Sequence, residues 1–324
     1  IMNGIKNLGA AYMVTGDKAF AHKAAVLLDR VADLYPTHDF GKQGVMYEGP
    51  PARGYVSTWH DACWETQDMA LAYDQIFDAI DGDGPLQQFL AAKAEQYGIE
   101  NPKASYADIR LNIEERIVRE GIVNRAKIQS NFPQTDFAVI FMKTVLGWPG
   151  NRSEVIGLLD EIIEKTTAVD GVTGEKGLCG YGSLGPKSLG FLLERYAGIE
   201  PGFLDGMIQR HPAIVDCFRF HLDTWCLNGS YYPLIGDCGA FAQPVRSYGG
   251  LTLLKDQSIS VNTPSLAPSM FAFLWKLYEV TKDPSFVQIM YRANDHSLDG
   301  LPHDLFAQDP ASFQKSVKRV IDEH

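Results

Sequence analysis

Apolar residues recur along most of the chain at spacings of three and four residues, which is the period of amphipathic helices. Two such runs occupy residues 5–34 and are separated by Thr15, Gly16 and Asp17. The apolar positions of the second run are Ala19, Phe20, Ala24, Leu27, Leu28, Val31 and Leu34. Because aspartate is a favoured helix N-cap, we expect one helix to end at this turn and the next to begin directly after Asp17.

A junction of the same kind returns near the end of the chain. TGDKAF at residues 15–20 and TKDPSF at residues 281–286 both place a short polar turn between two apolar runs. Further helices are predicted over residues 59–80, 86–98, 105–120, 137–146, 152–168, 184–198, 203–222 and 311–321. Repeated helical hairpins with short turns predict an all-α fold, either an array or a closed toroid of hairpins.

Four polar segments interrupt the helices, at residues 37–58, 129–136, 170–182 and 228–243. The third reads DGVTGEKGLCGYG, and its five glycines predict a loop whose backbone can approach a ligand closely. In a toroid, loops at one rim converge on one cleft, where aromatic and polar groups together suit a sugar. We see no linker, and we predict a single domain over residues 1–324.

Composition narrows the range of partners. The 324 residues are 45% hydrophobic, which is enough for a sizeable core, and the formal net charge is -11. That charge argues against a nucleic-acid partner, although a local basic cleft can still bind an acidic polysaccharide. No apolar run reaches membrane-spanning length, and the five widely spaced cysteines show no disulfide framework. The histidines have no ligand spacing, so we predict neither a metal nor another cofactor.

Three stretches in a fixed order resemble one enzyme family. Asn131 at a helix start, the loop of residues 170–182 and the PLIGD segment of residues 233–237 resemble the heparinase II/III-like polysaccharide lyases. The family often has histidine where this chain has Phe132. The resemblance implies an incomplete (α/α) toroid that is followed, in a longer periplasmic or secreted protein, by an antiparallel β-sandwich.

The resemblance also implies a reaction, β-elimination at a uronic acid in a polymer such as a glycosaminoglycan or alginate. Asn131 would neutralise the uronate carboxylate as the enolate forms, and Tyr181 would exchange protons with C5 and the leaving oxygen. A phenol needs a neighbouring cation or donor to act as a base at neutral pH. Arg53, His60 or a histidine of the following domain would supply it. Further substrate-binding candidates are Tyr47, Trp59 and Glu175.

Two other functions remain open from the sequence. A glycoside hydrolase on a related toroid needs two facing carboxylates, and a sugar-binding domain needs none. Carboxylate candidates for hydrolysis are Glu48, Asp61, Glu65, Glu175 and Asp237. Tyr181 also has a purely structural interpretation as a loop-packing residue, and Asn131 has one as an ordinary helix cap.

Overall fold

The protein is mostly helical, as the sequence predicts, and it separates into two compact units, Ile1–Leu159 and Asp160–His324. The prediction that residues 1–324 form one domain stays a prediction. The computed structural model describes residues 1–40, 54–57, 59–168, 184–223, 225–226, 230–231, 255–256, 265–266, 268–294, 296–299 and 309–324.

The first unit contains seven helices within its described residues, and an eighth crosses into the second unit. They are α1 Met2–Thr15, α2 Lys18–Leu34, α3 Trp59–Ile80, α4 Gly84–Tyr97, α5 Tyr106–Ile113, α6 Glu120–Val123, α7 Gln134–Gly147 and α8 Arg152–Thr166. The break between α1 and α2 and the bounds of α3 confirm the prediction. Residues 105–120, predicted as helical, form an unbroken helical run made of α5, a π-helical turn at Glu114–Arg119 and the first residue of α6.

The second unit is also helical in its described part. Its helices are α9 Leu184–Ile199, α10 Phe203–Arg210, α11 Ala213–Asp223, α12 Pro268–Thr281, α13 Ser285–Ala293 and α14 Pro310–Glu323. Residues 203–222, predicted as one helix, form two, because Pro212 has no N–H to continue the helical bonding. Four two-residue strands, β1 to β4, form two antiparallel pairs: Trp225–Cys226 with Ser230–Tyr231, and Lys255–Asp256 with Ser265–Leu266.

In the first unit, α1 and α3 run parallel. Lys6 Nζ lies 2.7 Å from Asp68 Oδ2. About one turn further along both helices, a Cβ placed on Gly9 would lie 3.5 Å from the Cα of Ala72. Because the later residue of α1 contacts the later residue of α3, the two helices run in the same direction and begin at the same end of the unit.

Helix α7 continues this parallel arrangement on another side of α3. Near the start of α3, Cys63 is hydrogen-bonded to the side chain of Ser130, which lies just before α7. Further along, Thr66 of α3 and Met142 of α7 both border Gly121, where an added Cβ would lie 2.7 Å from Thr66 Cγ2 and 3.1 Å from Met142 Sδ. Thus α1, α3 and α7 all begin at one end of the unit.

Helix α2 runs in the opposite direction to these three. Its Leu27 lies beside Gly4 near the start of α1, with Cδ1 3.6 Å from a Cβ placed on that glycine. Just after α2 ends, Tyr35 Oη lies 2.5 Å from Thr66 Oγ1 in α3. The chain therefore alternates direction. Most buried residues of the unit's core come from α2 and α3, and α1, α4, α5, the π-helical turn and α7 supply others.

The second unit repeats the parallel arrangement with α9 and α12. Gly190 of α9 borders Phe273, whose Cδ1 would lie 3.1 Å from an added Cβ. Four residues further along α9, Glu194 Oε1 accepts a hydrogen bond of 2.9 Å from Lys276 Nζ of α12. The later residue of α9 again contacts the later residue of α12, so the two helices run in the same direction and begin at the same end of their unit.

Candidate functional site

The structure describes only part of the predicted site. Asn131 lies within the described residues of the first unit. Trp59 and His60 open α3, but their side chains lie outside the described part. Four other predicted site residues lie wholly outside it: Tyr47, Arg53, Glu175 and Tyr181. The candidate site is therefore built from the surroundings of Asn131.

The backbone around Asn131 is fixed by hydrogen bonds at the start of α7. The carbonyl of Asn131 accepts a 2.8 Å bond from the N–H of Gln134. The hydroxyl of Thr135 accepts a 2.7 Å bond from the N–H of Ser130 and donates a 3.1 Å bond to the carbonyl of Ile128. These bonds hold Asn131 where the chain enters α7.

Asn131 lies at the end of the unit where α1, α3 and α7 begin. The first N–H groups of a helix have no partner within the helix, and the helix dipole places a partial positive charge there. Trp59 and His60, as the first residues of α3, lie at the same end. The helix N-termini favour an anionic group at this end of the unit, whereas the carboxylates of Asp61 and Glu65, which also lie near the start of α3, act in the opposite direction.

Glu65 is the acid with the most unusual surroundings near this end. It is half-buried and is hydrogen-bonded to the side chain of Ser57. Its Oε2 atom is buried and has no hydrogen-bond partner among the described residues. Burial raises the pKa of the Glu65 carboxyl above its ordinary value, and nearby Asp61 and Asp68 also raise it, against the lowering effect of Ser57.

The sequence did not separate Glu65 from the other acids proposed for hydrolysis. Its burial comes from tertiary packing around the start of α3, which no local spacing reveals. One signal was available in the sequence: Glu65 lies six residues after the start of a helix that follows a Gly- and Pro-rich loop.

Two stacked tyrosines lie beneath this region. The rings of Tyr35 and Tyr55 are 4.1 Å apart between centroids. Tyr55 Oη donates a 3.0 Å hydrogen bond to Glu120 Oε1, and Lys127 Nζ lies 4.5 Å from the centroid of the Tyr55 ring. Burial raises the pKa of both phenols far above the ordinary value. Both hydroxyls therefore keep their protons, and neither can act as a base.

Cys63 has the properties of a structural thiol. Burial raises its pKa to about 11, although its bond to Ser130 acts in the opposite direction. A thiol in this state is a poor nucleophile at neutral pH.

Among the described residues, no group of three or more His, Cys, Asp or Glu side chains is arranged to hold a metal ion. The predicted absence of a metal stays a prediction.

No family model, curated protein or solved structure matches this chain. In the part of the chain that the structure describes, no helix is long and apolar enough to cross a membrane.

Proposed function

We propose that the protein is a polysaccharide lyase that cleaves a uronic-acid-containing polysaccharide by β-elimination. The observation that carries this proposal is the position of Asn131 at the end where α1, α3 and α7 begin. Abstraction of the C5 proton builds negative charge on the uronate carboxylate. Helix N-termini and a neutral amide donor stabilise that charge, and they do so without requiring a metal ion. Asn131 is the carboxylate-neutralising residue in this proposal.

Tyr181 is the acid and base in the proposal. Tyr35 and Tyr55 are excluded from this role, because burial keeps both phenols protonated. A cation or donor must lower the barrier to deprotonating Tyr181, and Arg53 or His60 takes that role. Tyr47, Trp59 and Glu175 contact the sugar. The acidic polymer and the periplasmic or extracellular location belong to the same proposal.

The proposed fold is an incomplete (α/α) toroid. A toroid of helical hairpins needs inner helices that all run in one direction and outer helices that return. Two features support the proposal: α1, α3 and α7 run parallel with α2 reversed within the first unit, and α9 runs parallel to α12 within the second.

Glu65 favours a second candidate function, glycoside hydrolysis. A general acid in this reaction needs a raised pKa, and burial raises the pKa of Glu65. Asp61 lies one helical turn before it and is exposed, and it is the partner carboxylate in this alternative. The two functions give different products from the same polymer.

The deciding experiment measures both products on one panel of alginate, heparan, chondroitin and hyaluronan. A lyase creates an unsaturated uronyl end that absorbs in the near ultraviolet, and a hydrolase creates a reducing end without this chromophore. We expect the chromophore from the wild type and a loss of at least roughly 100-fold in Tyr181→Phe and Asn131→Ala. Tyr106→Phe, a matched change on α5, should retain the wild-type rate.

Other results would redirect the assignment. Reducing ends without the chromophore, abolished by Glu65→Gln, would establish hydrolysis. Binding of a polymer by the folded protein without either product would establish a non-catalytic sugar-binding role.

A further inference from the structure

Trp64 exposes its side chain near the start of α3, close to the candidate site. It lies five residues after Trp59, the first residue of α3, and it is 43% exposed. The residue before it, Cys63, is hydrogen-bonded to the side chain of Ser130, the neighbour of Asn131. Because consecutive Cα atoms are only about 3.8 Å apart, a sugar chain that extends from Asn131 across this end of α3 reaches Trp64.

The other exposed aromatic rings of the described first unit differ from Trp64, because each already has a cation beside it. An arginine of α5 lies 5.2 Å from the ring centroid of Phe77. Lys93 lies 5.7 Å from that of Phe89 and 5.6 Å from that of Tyr97. Among the described residues, no cation lies over the ring of Trp64. Trp64 therefore presents an apolar surface that the protein itself does not cover with a charged group.

The polar groups around Trp64 are mostly acidic. Asp61 and Asp68 lie one turn before it and one turn after it on α3, and residues three and four apart are neighbours on a helix. Asp68 Oδ2 is paired with Lys6 Nζ at 2.7 Å, whereas Asp61 is exposed and Glu65 is half-buried. This surface repels a carboxylate or a sulfate group and offers carboxylate oxygens as hydrogen-bond acceptors.

An uncharged sugar ring fits this combination of groups. Its apolar face matches the flat indole ring, and its hydroxyl and N-acetyl N–H groups are donors for the carboxylate oxygens. A uronate ring offers the same face, but it also brings a negative charge towards Asp61. The surroundings of Trp64 therefore distinguish the two kinds of ring by charge.

We propose that Trp64 forms a subsite for an uncharged sugar ring, next to the uronate position at Asn131. The ring stacks on the indole of Trp64 and donates a hydrogen bond to Asp61. This subsite deepens the proposed function and rests on it for the class of ligand, a polysaccharide. The preferred polymer then has an uncharged ring beside the uronate, and a polymer of uronates alone is bound less well.

The test measures the binding of two oligosaccharides of equal length to the full chain by calorimetric titration. One alternates glucuronate with N-acetylglucosamine, and the other contains uronates alone. We expect the wild type to bind the alternating ligand more tightly. Trp64→Ala should weaken the binding of the alternating ligand roughly tenfold, because a stacking contact is lost. The same change should alter the binding of the all-uronate ligand less than about twofold.

Further variants separate stacking from packing. Trp64→Phe keeps a flat ring and should bind the alternating ligand within about threefold of the wild type. Trp64→Leu keeps an apolar side chain without a flat face and should bind as weakly as Trp64→Ala. The alternating ligand should change the indole emission of the wild type, and this change should be smaller in Trp64→Phe. Phe89→Ala removes a similarly exposed ring on α4 and is the matched control, which should bind as the wild type does.

Three results would overturn the subsite. The first is wild-type affinity of Trp64→Ala for the alternating ligand, the second is an equal loss of affinity for both ligands, and the third is equal affinity of Trp64→Leu and Trp64→Phe. If any of them occurs while the near-ultraviolet chromophore forms, the lyase reaction stands and the subsite fails. Binding that depends on Trp64 without the chromophore from any polymer would retain the sugar subsite and remove the reaction.

Discussion

Gly16 and Lys282 occupy equivalent positions in two helical hairpins, and both adopt the left-handed backbone conformation, with φ of 69° and 60°. In both turns this residue donates its N–H to a tyrosine carbonyl four residues earlier, at 2.8 Å. In both, the preceding threonine hydroxyl accepts from the N–H of the following aspartate, at 3.1 and 3.2 Å. The two turns are therefore built alike, as the shared TGD and TKD sequences predict, although only one has glycine at the strained position.

Replacing Lys282 with glycine should stabilise the second unit. A side chain with Cβ in the left-handed conformation costs about 1 kcal/mol relative to glycine, partly offset by the greater flexibility of glycine in the unfolded chain. We expect Lys282→Gly to raise the free energy of unfolding by up to about 0.5–1 kcal/mol, measured by chemical denaturation.

Lys282→Ala is the control for this prediction, because it removes the charge and the long side chain but keeps the strained Cβ. Lys282→Gly should therefore be more stable than Lys282→Ala. Gly16→Ala should be less stable than the wild type even though no atom would lie within 4 Å of its new Cβ. Equal stability of the glycine and alanine variants at position 282 would contradict the strain argument.

Lys103→Met should destabilise the first unit strongly. Lys103 Nζ is the cation between the buried carboxylates of Asp29 and Asp33, and its removal leaves negative charge buried without compensation. Breaking a buried pair in this way costs about 3–5 kcal/mol. Lys318→Met is the matched control: Lys318 pairs with Asp322 at the exposed surface, so its loss should cost at most about 1 kcal/mol.

The pH dependence of Lys103→Met tests the cause of its instability. Burial already raises the pKa of Asp29 in the folded protein, and Lys103 acts against this effect. Without Lys103 the folded pKa rises further above the unfolded value, so stability is lost as the pH rises through the folded pKa. The deficit of Lys103→Met relative to the wild type should therefore shrink in acid. A deficit that is constant with pH would indicate lost packing alone.

The sequence predicted the helices themselves better than the contacts between residues that lie far apart in the chain. The Thr15–Asp17 turn and the bounds of α3 follow from local rules, since capping and periodicity depend on neighbouring residues. The burial of Glu65 and the cluster around Lys103 depend on residues far apart in the chain, such as Asp29 with Lys103. No spacing rule reaches that far. The split at Pro212 was within reach of a local rule, because proline interrupts helical bonding.

Glu65→Gln should remove a pH-dependent loss of stability. Burial raises the pKa of Glu65 in the folded protein, so the wild type binds this proton more tightly when folded and loses stability as the pH rises through the folded pKa. Glutamine does not titrate, and the variant should gain stability relative to the wild type with increasing pH. Denaturation at several pH values measures this difference.

Glu95→Gln, on the exposed face of α4, controls for the chemical change from a carboxylate to an amide. Asp61→Asn should reduce the effect in the Glu65-containing protein, because Asp61 adds to the raised pKa of Glu65. Parallel pH profiles for the wild type and Glu65→Gln would show that Glu65 titrates as an ordinary surface acid.

Gly121→Ala should destabilise the packing between α3, α6 and α7, and Thr66→Ser should relieve part of the loss. A Cβ at Gly121 would lie 2.7 Å from Thr66 Cγ2 and 3.1 Å from Met142 Sδ. Overpacking of this kind costs about 1–3 kcal/mol. Serine lacks the clashing methyl group but keeps the hydroxyl that donates to the carbonyl of Ala62 at 2.7 Å. The double variant should be more stable than the sum of the two single changes by about 1 kcal/mol, measured as a double-mutant cycle.

Gly157→Ala on α8 provides the control, because no atom would lie within 4 Å of its Cβ and alanine favours the helix by about 0.8–1.0 kcal/mol over glycine. If Gly121→Ala also stabilises the protein, or the cycle is additive, the close contact between α6 and α3 does not limit the packing of this end of the unit.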